Sequence, residues 1–302
     1  MKNVVINPDT GLLRAGFRLA LFVLVFALLT MIGMITVRMI NGSLPKLSLL
    51  QFATLGVTAT LAVFIARRFF DKKSFVSLGL KLDRTAATDT LIGIAISALV
   101  MAGMFALLLS LGLIEFHGLS WWSDDIGSRF KPTKMLVIGI VFAKLAIVAW
   151  WEELVMRGYV FRNLIAGVGL TWAIVLSSLI FGITHALNPN ATLLSSVLIA
   201  IITPQLIYAY LRTGQLWMPI GLHLGWNFFQ ASIFGFAASG QDSPSLIQQS
   251  PIGPEWLSGG AFGAEGSILI VPATALSCVL IHYWVRFTRK SQETVFAFAP
   301  AV

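Results

Sequence analysis

Apolar residues run along this chain in stretches far too long for the alternating faces of a soluble fold. Eight such stretches lie at about 17–39, 48–69, 89–114, 134–163, 170–187, 191–211, 216–238 and 266–287, separated by shorter polar segments. Crossing the hydrocarbon core of a bilayer takes a helix of about 20 mostly apolar residues, so each stretch predicts one membrane-spanning helix. The fifth and sixth are divided only by Asn188-Pro189-Asn190, a turn signal. Pro204 and Pro272 fall inside runs, where neighbouring helices can satisfy the backbone groups that proline frees. The first run exceeds the core of about 7–15 residues expected of a signal peptide and predicts a retained helix. The expected fold class is therefore an all-α polytopic membrane protein with about eight transmembrane helices.

Composition agrees. Hydrophobic residues make up 57% of the 302 and charged residues 11%, against about 25% charged in ordinary soluble domains. The net charge of +8 reads as topology and excludes no membrane role. Lysine and arginine gather in segments that share a side with both ends of the chain, above all Arg67, Arg68, Lys72, Lys73, Lys81 and Arg84. By the positive-inside rule both termini are expected in the cytoplasm. This basicity does not point to nucleic acid; the expected partners are a lipid bilayer and a peptide or membrane-protein substrate. A single cysteine, Cys278, allows no intramolecular disulfide and reads as a packing residue. Trp121-Trp122 reads as part of an interfacial aromatic belt. Segment 239–265, free of Lys and Arg and rich in Gly, Pro and Ser, reads as an outer connection, with a lid or interfacial segment anchored by Trp256 as the alternative.

Against this background a few polar residues need a reason. The fourth run contains WWEELVMRGYV at 150–160. Glu153 and Arg157, at i and i+4, share a helical face and can neutralise each other. Glu152 is turned away by about 100° and is left to face a cavity. FGITH spaces Phe181 and His185 by four on the fifth run, and HLGWN does the same for His223 and Asn227 on the seventh. Ionisable groups inside a membrane usually face the bundle interior, so the three helices are expected to meet at one buried pocket. Counting residues from the span ends places that pocket nearer the cytoplasmic half.

A glutamate, two histidines and an amide suit hydrolysis of a carbonyl. Glutamate can serve as general base, histidine can hold a water or bind a metal, and asparagine can donate to an oxyanion. Glu152, His185 and His223 could also make a three-ligand zinc site with one position open, so metal-activated and glutamate-activated water both stand open and the cofactor is unknown. Phe181 reads as packing beneath His185. Lys144, mid-span, divides evenly between structural pairing and a site role.

At these residues the chain resembles a known family. EELVMRG, FGITH and MPIGLHLGWN look like the three motifs of the CPBP family, the CAAX proteases and bacteriocin-processing enzymes. SLGL at 77–80 is similar to a segment of bacterial members. The resemblance implies an intramembrane endopeptidase. Eukaryotic members remove the last three residues of prenylated CAAX proteins, and bacterial relatives are linked with bacteriocin immunity and with processing of peptides or membrane proteins. Carried over, Glu152 would activate the water, His185 and His223 would position it or bind metal, and Asn227 would stabilise the oxyanion. Glu153, Arg157 and Phe181 would shape the site. The family is described both as metalloproteases and as glutamate proteases. The implied organisation is N-terminal helices in 1–132, a protease-like core in 133–238, and an outer loop, last helix and tail in 239–302, in a bacterial inner membrane. The rival class is a non-enzymatic membrane protein, either an ion-coupled transporter or an immunity or partner-binding factor.

Overall fold

The computed structural model describes residues 2–8, 10–41, 49–120 and 132–289; Trp121-Trp122 lies outside them. Helices occupy all eight predicted stretches: α1 Ala15–Asn41, α2 Leu49–Ile65, α3 Arg84–Ser110, α4 Pro132–Glu153, α5 Phe161–His185, α6 Leu193–Thr213, α7 Trp217–Phe228 and α8 Ile270–Thr288. The chain is a polytopic helical membrane protein. Met135–His185 is apolar and helical over 51 residues, or about 77 Å at 1.5 Å per residue, far more than the roughly 30 Å of a bilayer core. Gly169 divides it: φ 81° and ψ 167° take the backbone out of the helix there, a conformation glycine reaches without steric cost. The divide falls in the gap expected between the fourth and fifth spans.

Two boundaries differ from expectation. Helix α3 begins at Arg84 because Asp83 caps it, accepting from the Ala86 amide at 3.0 Å; a cap of this kind satisfies a first-turn donor. The chain after α3 leaves the helix and forms strand β1, Ile114–Leu119, antiparallel to β2, Ile247–Pro251. Segment 239–265 is thus tied to the rest by backbone pairing. Trp256 is 52% exposed.

The bundle centres on α7, whose residues 218–226 are all buried. Ile220 and Leu224 enter one apolar cluster with Leu154, Tyr159 and Phe181, while Met218, Leu222 and Trp226 enter a second with Ile96, Val100 and Met104. Its sequence GLHLG lets α3 come close. A Cβ on Gly221 would stand 2.2 Å from the Thr90 carbonyl oxygen, and one on Gly225 would stand 2.8 Å from the Ile94 Cα. Small residues four apart are how membrane helices achieve such approach. Ser97 then donates to the Leu222 carbonyl at 2.8 Å, one position before His223.

At one end of the bundle the connector 71–83 is docked firmly. Asp71 accepts from Arg18 and Arg67 at 2.7 Å each. Within SLGL, the Leu78 carbonyl accepts from the Tyr210 hydroxyl at 2.8 Å and the Gly79 carbonyl from the Leu216 amide at 2.9 Å. Asp89 and Arg289 form an ion pair at the same end, joining α3 to α8. The connector and its basic residues thus form a fixed base from which α7 rises into the bundle.

Candidate active site

The fourth helix does not stay α-helical through its charged motif. Leu154–Val160 forms a π-helical segment directly after Glu153, and Phe229–Ile233 forms another directly after the His223–Asn227 turn. Such widened turns are frequent at functional sites. Here they flank the two helices that carry most of the polar residues.

The predicted pair forms: Arg157 Nη1 donates to Glu153 Oε1 at 2.9 Å, with both side chains at 0% exposure. A third member joins it that spacing along one helix could not show. His223 Nδ1 donates to the same oxygen at 2.8 Å. Glu153 therefore offsets the arginine and fixes the imidazole together. Phe181 supports the same group. Its ring lies 4.4 Å from the Arg157 guanidinium carbon and 4.4 Å from the His185 ring centroid, with the His223 ring edge-on at 6.4 Å. The phenyl ring thus packs against a cation and both histidines, more than the packing role beneath His185 read from spacing.

Glu152 points away from this pair, as its rotation predicts. Its Oε2 stands 3.8 Å from His223 Nε2, too long for a direct hydrogen bond, and is buried without a hydrogen-bond partner. His185 Nδ1 lies 2.8 Å from the Phe181 carbonyl oxygen. A carbonyl can only accept, so the proton sits on that nitrogen and Nε2 is left over. The same holds for His223, whose Nδ1 faces a carboxylate. Glu152, His185, His223 and Asn227 all line one cavity of about 660 Å³. Asn227 is half-buried on α7, one turn beyond His223.

The cavity's position corrects the depth count. Its wall includes Gln51 and Phe52 near the start of α2, Asn188, and Ala238, Ser239, Gln241, Ser243 and Glu265 from beyond α7. Among the described residues, none of its lining comes from 66–84 or 208–221, the end where the connector docks. Hydropathy does not mark where these helices end. The helical run through Glu152 extends to Gly169, and His185 is the last residue of α5, so the site lies toward the far end. Segment 239–265 contributes wall, and Glu265, missed in the sequence, holds it by accepting from the Ser239 amide and hydroxyl at 2.8 and 2.7 Å.

The zinc option meets a mixed fit. Each histidine is fixed through Nδ1 with Nε2 spare, the pattern of metal-binding imidazoles. Yet among the described residues no group of three or more His, Cys, Asp or Glu is gathered closely enough to hold a metal ion. Glu152, His185 and His223 share the cavity wall but are not gathered into the three-ligand set drawn from the sequence.

Compared with known protein families, residues 132–229 match the model described as type II CAAX prenyl endopeptidase Rce1-like. No curated protein and no solved structure matches the chain. The matched segment begins with α4, ends just after α7 and supplies Glu152, Glu153, Arg157, Phe181, His185, His223 and Asn227 together. Over those residues the chain is similar to a family of membrane endopeptidases, the CPBP intramembrane proteases.

Proposed function

We propose that the chain hydrolyses a peptide bond within the membrane, using a water activated by Glu152. One observation carries this reading: the Glu152 carboxylate and His223 Nε2, whose nearest atoms stand 3.8 Å apart, share the cavity lined also by His185 and Asn227. Neither can satisfy the other while both lack a proton. A water donating one hydrogen to each would satisfy both, with its oxygen lone pair turned to the cavity.

In the proposed reaction that oxygen attacks the peptide carbonyl carbon as Glu152 takes a proton. The carbonyl electrons move onto oxygen, where the Asn227 amide donates a hydrogen bond. A preorganised donor of this kind is worth about 10²–10³ in rate. Glu152 then returns the proton to the departing nitrogen, the C–N bond breaks, and a carboxylic acid and an amine leave. Glu153, Arg157 and Phe181 act by holding His223 and His185 in place. By the positive-inside rule the docked basic connector faces the cytoplasm with both termini, and the cavity then lies toward the outer half of a bacterial inner membrane.

The test compares membranes from cells making the wild-type chain or Glu152→Gln, by mass spectrometry of newly formed peptide termini. Termini present with the wild type and missing with the variant are expected. Identical sets, with ion-dependent solute uptake in both, would replace this reading by a transporter.

A further inference from the structure

The two ends of the cavity are built differently. Toward the docked connector the site is backed by side chains with no exposure at all: Leu154, Arg157, Tyr159, Tyr210 and Leu216. Leu216 reaches the π-helical segment of the fourth helix, where a Cβ on Gly158 would stand 3.2 Å from its Cδ1. Tyr210 and Leu216 also bond the connector itself, through the Leu78 and Gly79 carbonyls. Close-packed side chains of this kind leave no room for a water. At the opposite end the lining residues Asn188, Ser239, Gln241 and Ser243 are polar, uncharged and only half-buried. The two segments that carry them are locked together. Asn190 donates to the Gly240 carbonyl at 3.4 Å, the Gly240 amide donates to the Phe262 carbonyl at 2.9 Å, and a Cβ on Gly240 would stand 1.7 Å from the Pro189 carbonyl oxygen. The mouth therefore has a fixed polar rim.

The walls differ in character as well. Helices α1 and α2 line the cavity mostly with apolar side chains, Phe26, Met34, Phe52 and Leu55, whereas the rim is polar. A peptide that reaches Glu152 thus meets apolar surface on the helices and polar surface at the mouth. Resting on the hydrolase reading of the site and on the positive-inside orientation, we infer that the substrate enters from the outer face of the membrane. It is an outward-facing segment in which an apolar, membrane-embedded stretch passes into polar sequence, as at the anchor of an exported protein. Water for the reaction arrives from the same side, and the polar fragment leaves to it. A chain that stays in the cytoplasm has no path to Glu152 through the layer of Leu154, Tyr159 and Leu216.

The experiment reads access and cleavage separately. In a Cys278→Ala background, single cysteines are placed on the cavity wall, as Val148→Cys one turn before Glu152 or as Leu55→Cys on α2, and on the exposed connector as Ser74→Cys. Spheroplasts making each full-length variant are treated with a membrane-impermeant maleimide, which reacts with a thiol only where water lets it ionise. At least one wall cysteine should label in intact spheroplasts to the extent seen after lysis, and Ser74→Cys only after lysis. Absence of labelling at both wall positions in intact spheroplasts would overturn the inference, as would labelling of Ser74→Cys there. Peptide termini present with the wild type and missing with Glu152→Gln should then map to outward-facing segments next to apolar stretches; termini from cytoplasmic segments would equally overturn it. The hydrolase reading fails separately, when wild-type and Glu152→Gln chains yield the same termini while the wall cysteines still label from outside.

Discussion

Replacing Glu153 by Gln removes one charge and almost no volume from the most enclosed part of the site. Glutamine keeps an oxygen that can accept from His223 Nδ1. It leaves Arg157 without its bonded anion, in a position of 0% exposure. The guanidinium cannot escape by losing its proton. Removing one partner of a buried pair costs about 3–5 kcal/mol. The Phe181 ring, 4.4 Å from the guanidinium carbon, remains as a cation–π partner and puts the expected cost near the lower end. A loss of about 3 kcal/mol lowers the folded-to-unfolded ratio roughly 150-fold. Titration of the detergent-solubilised protein with SDS, followed by tryptophan fluorescence, reads this directly. The double variant Glu153→Gln/Arg157→Met removes both charges and should regain most of the stability. The neighbouring Glu152→Gln, whose side chain is 16% exposed, should cost under about 1 kcal/mol. A double variant no more stable than Glu153→Gln would refute the account of Glu153 as counter-ion, as would equal losses for the two adjacent glutamates.

Other positions separate chemistry from packing. Asn227→Ala should lower kcat about 10²–10³-fold with little change in KM, as expected for a donor used mainly in the transition state; a pure KM effect would remove it from that role. Gly221→Ala places a Cβ 2.2 Å from the Thr90 carbonyl oxygen and should destabilise by about 1–3 kcal/mol or more, with thermal unfolding as the readout. An unchanged transition would mean that α3 and α7 do not meet so closely.

The helices were legible because a membrane leaves the backbone few choices: long apolar runs must bond internally, and Glu153 with Arg157 follows from one helix's own geometry. His223 on Glu153 was not legible, since it depends on how α7 docks. The signal for that docking was present in GLHLG, whose glycines admit α3 and whose middle residue is His223. The π-helical segments after Glu153 and after the Asn227 turn leave no periodic trace in an apolar sequence. Pairing of Ile114–Leu119 with Ile247–Pro251 joins segments more than a hundred residues apart, with no shared pattern to link them. The far-end position of the cavity was not legible for a related reason: hydropathy marks where a helix can lie in lipid and says little about where it ends. Glu265 was passed over because a lone acid in a Gly- and Pro-rich loop looks like solvent-facing sequence until Ser239 is seen beside it.

The central claim is that Glu152 is the base and Glu153 is not. Purified chain in lipid vesicles, given peptides found to lose a cut in Glu152→Gln membranes, allows kcat/KM to be measured for the wild type and for Glu152→Gln at equal folded protein. A general base contributes about 10²–10⁴ in rate, and the account predicts a loss at least that large for a properly folded variant. Cleavage by Glu152→Gln within a few-fold of the wild type would contradict it.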